Sequence, residues 1–168
     1  IDQALGVGTV VVAHQNRQGH EVDLIEAFVG YKPVPTGETR FSGRAGLFWP
    51  PVSLEHEGAA WSVADMITPS AINSWIGEEV KVLGAEATLT REIGGHRLSG
   101  TLAVFGFNDT AGTLLSFRGW ALHDLKATAF GHQPLPRHSA DWTLWQAAAT
   151  RPLIELDSRP GFYGKLSW

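Results

Sequence analysis

Glu26, Arg40, Arg44, Glu86 and Arg118 are charged residues that alternate with small or apolar ones in stretches that read as extended chain. A strand sends successive side chains to opposite faces of its sheet, so Arg40 and Arg44, four residues apart, share a face. Such a row can present fixed charge to hydrophilic solutes moving along a wet surface and sort them by sign. The same residues also serve plain structural ion pairing between neighbouring strands, and for any single pair the sequence favours that use.

Other reactive groups are less well placed. Glu55, Glu57, Glu78 and Glu79 with His56 could supply a metal site or paired carboxylates for glycosidic chemistry, but their flanks read as loop and offer no oriented partner. The seven histidines are scattered without the spacing of metal ligands. Gly6-Val-Gly8 and Gly94-Gly95 lack the strand–turn–helix setting of a nucleotide loop, and Ser53 has no nucleophile elbow around it. Trp61, Trp75, Trp142 and Trp145 would make a sugar-stacking platform if they converged, although tryptophans more commonly anchor loops. No enzyme, cofactor or metal is expected.

Bulk properties narrow the classes. A chain of 168 residues suffices for one domain. A net charge of −4 without any Lys/Arg-dense tract gives no reason to expect nucleic acid. With no cysteine there are no disulfides or thiolate metal sites. No apolar run approaches the ~18 residues of a spanning helix, so membrane residence would have to be as β-structure. The opening Ile-Asp-Gln reads as a processed or partial chain.

The elements that must position these residues are nearly all strands. The alternation predicts strands over 4–14 (with blurred periodicity), 21–32, 38–50, 79–91, 97–107, 113–122, 125–132, 152–156 and 161–168. Several run to about a dozen residues, above the globular mode of ~5–6 and at the ~9–11 of a tilted membrane strand. Residues 52–78 form a long loop, in which Thr68-Pro69-Ser70 caps a short helix over AINSWI. Residues 133–150 form a second long loop. Short turns fall at 33–37, 92–96 and 108–112. Taken as a simple meander, this puts most short turns at one rim, but the 108–112 turn lands on the long-loop side.

The faces are unusual for a packed sheet. Leu83, Ala85, Ala87 and Leu89 form one row, and Leu98, Gly100 and Leu102 another, mixing leucine with very small residues. A dense core would lose contacts at each small residue, whereas a lipid-facing surface has no facing layer to fill. The opposite rows carry Arg40, Arg44, Glu86, Arg97, Arg118 and Lys165 among Ser, Thr and Gly, too charged for a dry core. Tyr31, Trp49 and Trp168 stand near strand ends, where an interfacial girdle would sit. Pattern alone divides evenly between a membrane barrel and a soluble sandwich or barrel.

One tract bears on that choice. Residues 44–89, with Gly46-Leu-Phe48-Trp-Pro50-Pro51-Val-Ser53-Leu54-Glu55 at the strand exit, resemble proteobacterial outer-membrane porin-like proteins, broadly the phosphate-selective porin O and P group. Residues 116–124 and 155–168 have a similar flavour. The resemblance implies an all-β antiparallel meander of long strands forming a transmembrane β-barrel or part of one. It also implies a strand that leads into an outer loop before the chain returns. Such porins are roughly twice as long or more, so this chain would supply part of a barrel. No lysine-dense loop matches a phosphate ladder, so anion selectivity does not carry over.

Residues 1–168 are therefore expected to form a single β-barrel domain or a fragment of one. The expected function is passive diffusion of small hydrophilic solutes or ions across a bacterial outer membrane. Arg40, Arg44, Glu86, Arg118 and Glu26 would line the pore. Glu55, Trp61, Trp75, Glu78 and Glu79 would sit on a constricting loop. Membrane lipid and solutes are the expected partners, and a homo-oligomer is compatible with such a barrel. The alternative is a soluble β-sandwich or barrel binding carbohydrate or another small ligand through its loop tryptophans.

Overall fold

The computed structural model describes residues 5–13, 22–55, 58, 62–63, 66–67, 69–76, 80–111, 128–135, 145 and 147–168. Eight strands are assigned: β1 (Leu5–Ala13), β2 (Val22–Tyr31), β3 (Thr39–Phe48), β4 (Val82–Ile93), β5 (His96–Gly106), β6 (Gln133–Pro134), β7 (Ala149–Thr150) and β8 (Gly161–Ser167), with one helix, α1 (Ala71–Ile76). Six of them form an antiparallel sheet in the order β1-β2-β3-β4-β5-β8, while β6 and β7 pair apart from it. The sheet is open among the described residues, with β1 and β8 at its edges. Among the described residues the fold is thus all-β and antiparallel with a single short helix.

Local chemistry explains the best-formed parts. β4 and β5 are joined by Gly94-Gly95 alone, both with positive φ (57° and 82°). That is the two-residue hairpin geometry whose twist matches the flanking strands, and glycine adopts it without steric cost. The helix forms where the cap was expected. Ser70 Oγ accepts from the Asn73 backbone N–H at 3.3 Å, the usual N-cap contact. The β1–β2 register shifts between Val10 and Val11, where β2 carries the extra residue, Ile25. A bulge of this kind offsets the period-two pattern partway along a strand.

Three expectations are corrected. β5 has β8 as its second neighbour, so the chain is not a simple meander. Residues 128–132 are irregular rather than the end of a strand; the Ala129 N–H donates to the Leu24 carbonyl at 2.8 Å. Residues 152–156 contribute only an isolated bridge between Ile154 and Asn108. Among the described strands, 32–38 and Gly94-Gly95 join strands at one end, and the chain leaves β1, β3 and β5 at the other. Residues 112–127, which hold most of the two expected strands, lie outside the described residues.

Burial is concentrated at the long-loop end, where Phe48, Lys81 and Val82 are fully enclosed beside Leu47 and Trp49. Along the rest of the sheet the more polar row is the more enclosed one. On β4 the leucine and alanine row (Leu83, Ala85, Ala87, Leu89) is exposed. The row of Val82, Gly84, Glu86, Thr88 and Thr90 is buried or half-buried. The registers put Val29, Ala45, Ala85, Val104 and Phe162 on the exposed face in one line across five strands. Leu102 and Leu166 on that face are 73% and 90% exposed. No described helix is long and apolar enough to cross a membrane.

Candidate functional site

The polar face is built in rows. Consecutive pairings align Gly30, Arg44, Glu86, Ala103 and Tyr163 across β2, β3, β4, β5 and β8. Arg44 Nε donates to Glu86 Oε1 at 3.1 Å, and Arg44 Nη2 donates to Glu86 Oε2 at 3.4 Å, a two-pronged contact between adjacent strands. Arg44 Nη2 also donates to the Trp49 carbonyl at 3.2 Å. Its guanidinium packs 4.2 Å from the Phe48 ring centroid and 5.7 Å from that of Phe28. From the other side the Tyr163 hydroxyl donates to Glu86 Oε2. Tyr163 reaches over β5 because the intervening residue is only an alanine, Ala103.

The next two rows below this bar carry only two charges, both cations. Ser42, Thr88, Thr101 and Lys165 share the next row, with the Thr88 and Thr101 hydroxyls 2.8 Å apart. Arg40 begins the following row with Thr90, Ser99 and Ser167. Neither Arg40 nor Lys165 makes an ion pair among the described residues. An exposed pair between Arg97 and Glu92 closes the short-turn rim.

Above the bar the face is tight. Gly46 pairs with Phe28 and Gly84, and a Cβ on Gly46 would lie 2.3 Å from the Ala27 carbonyl oxygen. Its φ of 139° is likewise one that side chains disfavour.

Of the pore-lining candidates, Arg40, Arg44 and Glu86 do lie on one face, and the fold brings Arg44 and Glu86 into contact. Glu26 is on the same face of β2, buried toward the long-loop end. Arg118 lies outside the described residues. On the loop, Glu55 is a scaffold residue: its Oε2 accepts from the Ser70 N–H at 2.8 Å, while Ser53 Oγ accepts from Asn73 Nδ2 at 2.6 Å. Together these tie the strand exit to the start of α1. Trp75 lies in α1, its side chain outside the described set, as are Trp61, Glu78 and Glu79.

Trp49 departs from the rim role expected of it. It is 3% exposed, with Lys81 Nζ 4.3 Å from its ring centroid. β3 ends at Phe48, so the alternation that placed Trp49 on the outer row no longer governs it. Of the four tryptophans proposed as a sugar platform, only the Trp145 side chain is described, and it is exposed.

Sequence reasoning missed two constellations. Tyr163 carried no signal of its own, since its role depends on the registers of three strands. Asp109, Glu155 and Asp157 bring carboxylate oxygens within 4.8 Å of one another. Each of them also accepts a backbone N–H, from Leu156, Phe107 and Arg159 respectively, which accounts for the cluster as loop architecture. No protein-family model, curated protein or solved structure matches the chain.

Proposed function

We propose that this sheet is part of the wall of a transmembrane β-barrel through which small hydrophilic solutes diffuse across a bacterial outer membrane. The observation that carries the reading is the inversion of the faces: leucine-bearing rows are exposed, and rows with Arg44, Glu86 and the Thr88–Thr101 pair are the enclosed ones. Apolar surface left in water costs about 25 cal/mol per Å², so a face five strands wide demands a cover. Its mixture of Gly and Ala with Leu suits fluid lipid, which fills gaps that a rigid protein layer would leave empty.

Three further features support the reading. β2 to β5 have 10, 10, 12 and 11 residues, close to the ~9–11 that a tilted strand needs to span hydrocarbon. The rims are unequal: Gly94-Gly95 and 32–38 join strands at one, and the long connections 49–81 and 107–160 leave the other beside the shorter 14–21. The polar face carries separated cations and hydroxyls along its lower half, as a water-filled lumen would accept. Open edges are not tolerated in hydrocarbon, so the working barrel contains strands beyond these six. The connection 49–76, tied down by Ser53, Glu55, Ser70 and Asn73, would narrow the lumen.

The test is behaviour in detergent and in bilayers. The protein is expected to need detergent to stay monodisperse and folded, and to give discrete conductance steps in a planar bilayer. A folded, monodisperse protein in plain buffer that produces no conductance would sink the reading and favour a soluble sheet protein.

A further inference from the structure

The exposed face has one basic side chain in a distinctive place. From β2 to β8, its residues at described positions include no lysine and no arginine other than Arg91. Arg91 is exposed, and its guanidinium makes no ion pair or hydrogen bond among the described residues. It stands at the short-turn end of β4, paired with Thr39 and Leu98. At the same end of the face the His96 and Trp168 rings lie 5.4 Å apart, Trp168 one residue beyond the Ser99–Ser167 pair.

Above Arg91 the surface is notched. Leu89, Gly100 and Leu166 lie in one row across β4, β5 and β8. Gly100 leaves a dip between the two leucines, where an added Cβ would meet only Leu166 Cδ2 at 3.5 Å. The resulting shallow groove is lined by Leu89, Leu98, Gly100 and Leu166, with Arg91 and Trp168 at its short-turn end.

We propose that this groove is a binding site for one membrane phospholipid, with an acyl chain lying over Gly100 and the headgroup phosphate held by Arg91. The inference rests on the membrane reading above. A cation at the short-turn end of an apolar groove, beside the Trp168 and His96 rings, matches a phospholipid in both charge and polarity order. An uncharged apolar peptide would leave Arg91 without a matching anion, and bulk lipid would need no notch. The site also fixes the depth of the sheet, with Arg91, His96 and Trp168 in the headgroup layer.

The experiment uses the full chain, floated with phosphatidylglycerol vesicles to score insertion. Native mass spectrometry of the extracted protein then measures lipid retained against increasing detergent. Arg91→Gln is expected to weaken phosphatidylglycerol retention about fivefold, the worth of one basic residue at a membrane surface. Gly100→Leu, which fills the notch, is expected to abolish the retained lipid, while Ala87→Leu on the same face leaves it unchanged. Insertion of all variants with wild-type lipid retention would overturn the lipid site and leave the membrane reading standing. Failure of the wild-type chain to float would overturn both.

Discussion

Arg44 and Glu86 face each other across β3 and β4, joined by two hydrogen bonds and backed by the Phe48 ring on one side and the Tyr163 hydroxyl on the other. Their side chains are 26% and 14% exposed, so solvent screens the pair only in part. Removing one charge leaves the other half-enclosed without its partner, which costs more than removing both. Glu86→Ala is expected to destabilise by about 2 kcal/mol. The Arg44→Met/Glu86→Met double variant should recover part of that loss, with a coupling of about 1 kcal/mol in a double-mutant cycle. Urea titration of the folded protein checks both, and additive losses would remove the case for a coupled bar.

Tyr163 gives an independent reading of the same bar. Its hydroxyl donates to a charged acceptor, a bond worth about 1.5–3 kcal/mol before the partial exposure of the site is discounted. Tyr163→Phe is expected to cost about 1 kcal/mol and to leave the aromatic contact with Phe105 in place. In Glu86→Gln the cost of Tyr163→Phe should shrink, because the acceptor no longer carries charge. An undiminished cost in that background would show that the ring, not the hydroxyl, does the stabilising.

The two faces can be told apart by charge insertion. Ala45 and Ala85 pair with each other on the exposed face, where an arginine would meet water at no cost in a soluble protein. At mid-depth in a bilayer the same arginine costs about 2–4 kcal/mol. Ala45→Arg and Ala85→Arg are therefore expected to impair folding into vesicles strongly, and Ser42→Arg on the polar face only slightly. Equal tolerance at all three positions would reverse the assignment of the faces.

Much of this was legible locally. Gly94-Gly95 marked the β4–β5 hairpin, Thr68-Pro69-Ser70 marked the helix, and the alternation in β3, β4, β5 and β8 split their residues into the two rows that the registers align. What local pattern does not carry is pairing order over distance. Nothing near residue 106 indicates that β5 lies beside β8, because that choice is settled by edges meeting across a long connection. Trp49 failed for a related reason: parity holds only while the strand lasts, and it lapses one residue before Pro50-Pro51. The Glu86–Tyr163 contact needed the register of three strands and the small size of Ala103, neither of which a single stretch reveals.

Glycine substitutions separate positions that need glycine from positions that merely have it. Gly46 combines a positive φ with a Cβ position 2.3 Å from the Ala27 carbonyl oxygen, so neither backbone nor neighbour can yield cheaply. Gly46→Ala is expected to lose about 3 kcal/mol. Gly100→Ala meets only a leucine methyl at van der Waals distance, and its stability should stay within about 0.5 kcal/mol of wild type. Denaturant midpoints with unchanged slopes would check the pair, and a tolerant Gly46 would mean that the β2–β3 register is wrong.

The loop after β3 offers the most direct link from structure to passage. Asn73 is buried, donates through Nδ2 to Ser53 Oγ and through its backbone to Ser70 Oγ, while Glu55 holds the Ser70 N–H. These contacts pin the first turn of α1 to the strand exit beside Phe48 and Trp49, at the long-loop end of the polar face. If this connection narrows the lumen, loosening it should widen the path without unfolding the sheet. Asn73→Ala removes the side-chain bond to Ser53 and is expected to speed proteolytic cleavage within 49–76 several-fold. Single-channel conductance should rise in the same variant. Faster cleavage with unchanged conductance would place the loop away from the path that solutes take, and would move the narrowest point to the Arg44–Glu86–Tyr163 bar.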